Sequence, residues 1–154
     1  MDATAKPLVR RTIVSVLCMC ERETSILLVH QEGPDGQSGW ALPGGTWEID
    51  ESAEEAARRE VKEETGLDVE IVRLYDSRVE VYEDEDTRVA VFILTYEARC
   101  TGGEIQPQDP DLQVHHAAWV PVAILHHLPF IHSTQRDLIQ RYVAERQSRA
   151  FSPS

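Results

Sequence analysis

The segment 45–67, GTWEIDESAEEAARREVKEETGL, constrains the fold more than any other part of the chain, because it reads as a helix with glutamates on its apolar side. At about 100° per residue, Ala53, Ala56, Ala57 and Val61 gather on one side. Glu60 and Glu64 fall in the middle of that stripe, and Glu63 sits at its edge beside Ala56. The opposite side holds Glu54, Glu55, Arg58, Arg59 and Lys62, with Glu54 facing Arg58 and Glu55 facing Arg59 at the favourable i,i+4 spacing of a solvated face. Glu60 and Glu64 are like charges one turn apart, a repulsion of about 0.2–0.5 kcal/mol even in water. Unpaired burial would cost far more. Either the carboxylates are protonated or a cation sits between them; the plain alternative is a glutamate-rich surface helix of the kind acidic proteins carry. Three carboxylates within one turn favour the cation. Hard oxygen ligands with no Cys or His nearby in sequence select Mg²⁺, Mn²⁺ or Ca²⁺ over zinc.

The flanks of this helix have their own logic. Ser52 followed by Glu55 forms a capping box that starts it, and Gly66 supplies the left-handed residue that commonly ends a helix. Before it, Pro43-Gly44-Gly45 makes a turn in which backbone can approach a ligand closely, since glycine lacks Cβ. Glu51 and Arg59 are placed to brace loop and helix and to orient the neighbouring glutamates.

Strands surround the helix. Residues 12–20 and 25–30 read as strands, the first apolar on both faces and therefore central. Residues 31–39, with Gly33-Pro34-Asp35-Gly36, read as a loop. Residues 69–75, 79–82, 87–98 and 114–120 read as further strands. A second long helix closes the chain, with Thr134 as N-cap and Leu138, Ile139, Tyr142 and Val143 facing inward. Of two later acidic segments, Glu83-Asp84-Glu85-Asp86 reads as a solvated hairpin turn, while Asp109 and Asp111 precede the last strand. Neither has the glycine and terminal glutamate of an EF-hand loop. His115-His116 and His126-His127 are adjacent pairs whose side chains should diverge, and His30 ends a strand before the glycine-rich loop.

The spacing of the helix residues is more specific than their chemistry. Gly45, five residues, Glu51, seven residues, Arg59-Glu60-Val61, one residue, Glu63-Glu64, one residue, Gly66-Leu67 resembles the Nudix hydrolase signature at every specified position. The preceding Trp40-Ala41-Leu42-Pro43-Gly44-Gly45 resembles the run-in to that signature, and Ala118-Trp119-Val120-Pro121 is a weaker likeness downstream. Asp50 departs from the glycine many relatives carry there, at a position outside the strict signature.

The resemblance implies an α+β Nudix fold, an α/β/α sandwich with a mixed β-sheet between helices. It implies Glu60, Glu63 and Glu64 as ligands of Mg²⁺ or Mn²⁺, the Gly44 carbonyl as a further ligand, and Gly45, Glu51, Arg59 and Gly66 as their support. The activity it implies is hydrolysis of the pyrophosphate linkage of a nucleoside diphosphate derivative, with a nucleoside triphosphate as the leading substrate. ADP-ribose, a nucleotide sugar or a dinucleoside polyphosphate are the alternatives, and a non-catalytic nucleotide-binding module is the alternative of another class. The general base is a signature glutamate or a later acid, Asp109 or Asp111. Bound cations reverse the local sign of a protein whose formal net charge is −12 and which would otherwise repel phosphates. Trp40, Trp47, Tyr82 and Trp119 are the aromatic residues able to stack on a base or to fill the core; Trp40 and Tyr82 are the substrate-binding candidates. Tyr82 lies near where dinucleoside polyphosphate hydrolases tend to carry tyrosine. The proline of ADP-ribose hydrolases and the longer signature of NADH pyrophosphatases are missing.

A chain of 154 residues fits one domain, 1–154, with 1–6 and 148–154 expected to be flexible. No apolar run reaches the length of a membrane span, and residues 1–6 lack the apolar core of a secretory signal, so a cytoplasmic location is expected. With 27 acidic against 15 basic residues, the chain lacks the footprint of a nucleic-acid polymer binder. Cys18, Cys20 and Cys100 are odd in number and expected to be reduced thiols. A homodimer is compatible with the resemblance, although no heptad seam or apolar stripe marks an interface.

Overall fold

The computed structural model describes residues 9–33, 36–106 and 114–150. Its centre is β1 (Val9–Arg22), whose alternation sends Val16, Cys18 and Cys20 to one face and Leu17 and Met19 to the other, all of them buried. A strand apolar on both faces needs a layer on each side. Around it run β2 (Ser25–Glu32), β3 (Ser38–Ala41), β4 (Gly44–Thr46), α1 (Ala53–Thr65), β5 (Leu67–Glu83), β6 (Thr87–Gly103), β7 (Val114–Pro121), a 3₁₀ helix (Val122–His127) and α2 (Ser133–Ala150). The sheet order is β3-β2-β1-β6-β5, with β4 added to β1 and β7 to β2. β1 and β6 are parallel and the other pairs antiparallel, so the sheet is mixed.

Each face carries one helix. Ala56, Ala57 and Val61 of α1 close over Val16, Cys18 and Tyr96. On the opposite face Leu138, Ile139 and Tyr142 of α2 close over Leu17, Met19 and Leu28. This is an α+β sandwich, the helix stripes of the sequence being the surfaces that meet the sheet. Among the described residues no helix is long and apolar enough to cross a membrane.

Several boundaries differ from the sequence reading. The expected loop 31–39 is ladder at both ends, since Gln31 pairs with Gly39 and Glu32 with Ser38; backbone pairing there proceeds without an apolar pattern. The strands 69–75 and 79–82 are one strand, β5, bent by irregularities at Asp68/Val69, Ile71/Arg73 and Leu74/Asp76. Asp76 does not break it, because Arg78 and Arg141 hold its carboxylate at 3.0 and 2.8 Å. Thr134 lies inside the first turn of α2, which begins at Ser133. That helix runs through Ala150, so 148–150 are helical; one turn earlier Arg146 donates to Glu21 across to β1 at 3.2 Å. Residues 1–6 and 151–154 lie outside the described residues. The acidic stretch does form the β5–β6 turn, where the Asp84 carboxylate accepts the N–H groups of Asp86 and Thr87 at 3.0 and 2.8 Å. The rings of His126 and His127 do not diverge but lie 3.9 Å apart in the 3₁₀ helix. All three cysteines are free thiols.

Candidate active site

The register of α1 is pinned at both ends. The Ser52 hydroxyl accepts the Glu55 N–H at 3.1 Å and the Glu55 carboxylate accepts the Ser52 N–H at 3.4 Å. At the other end Gly66 takes φ 84°, and its N–H donates to the Lys62 carbonyl at 2.9 Å. A Cβ on Gly66 would lie 2.4 Å from the Glu104 carbonyl oxygen, so the cap also admits a crossing backbone. Held this way, α1 turns Glu60 and Glu64 toward β4.

There the glycines matter individually. The Gly44 N–H donates to Glu64 Oε1 at 3.3 Å, and Glu64 is only 5% exposed. A Cβ on Gly45 would lie 2.5 Å from the Glu60 carboxyl carbon. Only a residue without a side chain lets that carboxylate rest against the strand.

Arg59 is the cation between the acids. Its Nη1 donates to Glu60 Oε1 at 2.9 Å and to Glu63 Oε2 at 3.4 Å, while Nη2 and Nε grip the Glu51 carboxylate at 2.7 and 3.0 Å. Nη2 also reaches the Thr46 carbonyl at 3.2 Å. Arg59 therefore joins the acid cluster instead of pairing with Glu55 on the solvated face; the planar guanidinium fork matches Glu51 with two parallel bonds, which a single surface contact cannot equal. Its hydrogen bonds hold the Glu51 carboxyl below the usual carboxylate range. The same contacts push the Arg59 guanidinium still further up. Because Glu51 Oε1 also accepts the Glu48 N–H at 3.1 Å, the arginine ties loop, helix and two of the three glutamates together.

Among the described residues, no three His, Cys, Asp or Glu side chains enclose an ion. The donor chemistry nevertheless suits a hard divalent cation: Glu60, Glu63 and Glu64 offer only oxygen. A soft donor, Cys18, packs beneath the helix with its Sγ 3.8 Å from the Ala57 carbonyl. Burial pushes its thiol well up, which keeps it protonated and a poor ligand. An ionised carboxylate has about four acceptor sites, so Glu60 and Glu63 can serve Arg59 and a second cation together.

On the other side of Gly44 and Gly45 lies a cavity of about 350 Å³. Ser15 and Leu17 of β1, alternate residues Arg78, Glu80 and Tyr82 of β5, and Gln135 of α2 are among its walls. Tyr82 donates to the Glu80 carboxylate, and that bond together with burial pushes its phenol up to about 12, so it stays neutral. Trp40 is outside the cavity lining; its ring stands edge-on to His30 at 5.2 Å and packs with the α2-side core. Asp109 and Asp111 lie outside the described residues. Arg78 and Glu80 belong to the same face as Tyr82 by period-two spacing, a signal the sequence carries once β5 is known to be continuous. Thr95 shares that spacing with Val91 and Ile93 on β6, whereas Gln135, which also lines the cavity, has no sequence signal of that kind.

The NUDIX domain profile matches residues 9–142. The chain is 36% identical over 98 residues to the ADP-ribose pyrophosphatase of Methanocaldococcus jannaschii, an alignment covering 62% of this chain and 56% of that protein. It is 34% identical over 113 residues to the NAD-capped RNA hydrolase NudC of Pseudomonas fluorescens, covering 73% and 36%. The chain thus spans about half or less of the length of these curated relatives. Among solved structures, a NUDIX hydrolase from Nitrosomonas europaea superposes with a TM-score of 0.76 at 21% identity, covering 87% of this chain and 90% of the other, a likeness of fold.

Proposed function

We propose, from the premise that this chain belongs to the NUDIX domain family, that it hydrolyses a pyrophosphate linkage in a nucleoside diphosphate derivative, with nucleoside triphosphates as the substrate class and Mg²⁺ or Mn²⁺ as cofactor. The observation that carries this reading is the back-to-back arrangement at Gly44-Gly45: three glutamates of one helical turn on one side, a cavity of about 350 Å³ on the other. That volume is within the range of small-molecule sites.

Glu60, Glu63 and Glu64 would hold the metal, with the Gly44 carbonyl as a further oxygen. When bound, the ion neutralises phosphate charge and lowers the pKa of an attacking water. Arg59 keeps Glu60 and Glu63 oriented through its bonds to both. Glu63 has the more open side chain of that pair, 32% exposed against 14% for Glu60, and so is placed to accept a proton from water. The water oxygen bonds to phosphorus, a P–O–P bond breaks, and the leaving phosphate departs with its electron pair. Gly44 and Gly45 allow substrate to pass close to the strand between cavity and acids.

The test is a panel of nucleoside triphosphates, ADP-ribose, nucleotide sugars and dinucleoside polyphosphates with Mg²⁺ or Mn²⁺, scored for phosphate with and without added phosphatase. Triphosphates should turn over fastest, chelation should abolish turnover, and Glu63→Gln and Glu64→Gln should remove most of it in folded protein. Full activity in the double variant would sink the reading. Nucleotide binding with no phosphate released over long incubation would instead favour the non-catalytic module.

A further inference from the structure

We infer that the cavity beside Gly44-Gly45 is a nucleobase subsite in which Gln135 selects bases presenting a carbonyl acceptor over those presenting an amino donor; the inference rests on the nucleotide reading above. Gln135 sits in the first turn of α2 and is 9% exposed. Its Oε1 accepts the buried Leu42 N–H at 2.7 Å. A backbone N–H can only donate, so this bond fixes which end of the amide is oxygen. Turning the amide over would leave Leu42 N–H facing a donor in a buried place. The NH₂ group is therefore the end left for the cavity that Gln135 lines.

Thr95 of β6 is fully buried, lines this cavity, and its hydroxyl has no hydrogen-bond partner among the described residues. Leu17, Leu42, Ile93 and Leu138 supply apolar surface around Gln135 and Thr95, suited to the faces of a flat ring.

The chemistry of the bases then decides. A 6-oxopurine presents two adjacent acceptors, O6 and N7, whereas a 6-aminopurine puts a donor in place of O6. The fixed Gln135 NH₂ pairs with the first and opposes the second. Inosine and guanosine nucleotides are the ligands this arrangement fits.

ITP and ATP test the contact, because on the N7 edge they differ at the 6-position alone, the accompanying change being N1, a donor in hypoxanthine and an acceptor in adenine. The expected kcat/KM ratio favours ITP by roughly 10- to 100-fold. In Gln135→Glu one carboxylate oxygen can still accept Leu42 N–H while the other offers the cavity an acceptor, so the ratio should reverse toward ATP. Should that variant not fold, Gln135→Met removes the donor at similar length and should bring the ratio to about one. Calorimetry with IMP and AMP, which have no pyrophosphate bond, separates this inference from the proposed reaction. IMP binding tighter than AMP upholds the subsite even where neither triphosphate is cleaved. Equal binding of IMP and AMP, or an unchanged ITP/ATP ratio in a folded Gln135 variant, overturns it.

Discussion

Gly45→Ala should disable the acid site while leaving the fold nearly untouched. The added Cβ would lie 2.5 Å from Cδ and Oε1 of Glu60 and 2.6 Å from Oε2. Carbon atoms in contact sit about 3.5 Å apart, so the carboxylate has to retreat by about 1 Å. Gly45 is not among the glycines with positive φ, and alanine strains no backbone there. The costs are a displaced rotamer, about 0.5–1.5 kcal/mol, and a weakened Arg59–Glu60 pair, about 0.2–1 kcal/mol. A stiffer unfolded chain offsets about 0.4–1 kcal/mol of that, leaving a net loss on the order of 1 kcal/mol. Turnover is another matter, since a misplacement of about 1 Å costs about 10²-fold. Gly44→Ala is the control: its Cβ would lie 2.1 Å from the Val16 carbonyl oxygen and 2.9 Å from Leu17 Cα. Backbone cannot swing aside as a side chain does, so the β1–β4 pairing must open, at about 3 kcal/mol or more. Thermal unfolding with and without Mn²⁺, calorimetric Mn²⁺ titration and kcat would be measured for both. The reasoning fails if Gly45→Ala binds Mn²⁺ and turns over like wild type, or if it melts as early as Gly44→Ala.

Three further outcomes follow from the same geometry. The Arg59 guanidinium holds Glu51 below its ordinary value of 4.5, so its contribution to stability is complete above about pH 4.5 and disappears as pH falls through the lower folded value. The Tm advantage of wild type over Glu51→Gln should shrink on acidification below that point, and an advantage that grew there would contradict the assignment. Gly66→Ala meets both a φ of 84° and the Glu104 carbonyl at 2.4 Å, so it should lose about 2 kcal/mol or more, read as a fall in Tm; an unchanged Tm would refute the cap. Burial pushes Cys20 up to about 12 and Cys18 well up, and both are fully buried, so native protein should label rapidly with maleimide at Cys100 alone, and at all three thiols once unfolded.

Much of this molecule follows from local pattern. The doubly apolar run in β1 requires a sheet covered on both faces, because every side chain along it needs a dry neighbour. Ser52, Glu55 and Gly66 set the ends of α1 through bonds within a few residues of one another, which is why they can be read without knowing the fold. The spacing of Glu60, Glu63 and Glu64 puts three carboxylates on one side of one turn wherever that helix packs.

Tertiary structure decided everything that depends on reach across elements. Helical spacing gives Arg59 a partner in Glu55, but the folded loop delivers Glu51, and a bidentate fork wins over a surface pair. Residues 76–78 fall between two strands in the sequence, but in the fold the strand is continuous and Arg141, far along the chain on α2, reaches the Asp76 carboxylate. The cavity is made from six strands and one helix, and Gln135 acquires a defined donor direction only because Leu42 meets it across 93 residues. Periodicity speaks for neighbours on one helix or strand, where geometry is fixed by covalent connection. The groups that would choose a substrate are neighbours only because the sheet and α2 close over them.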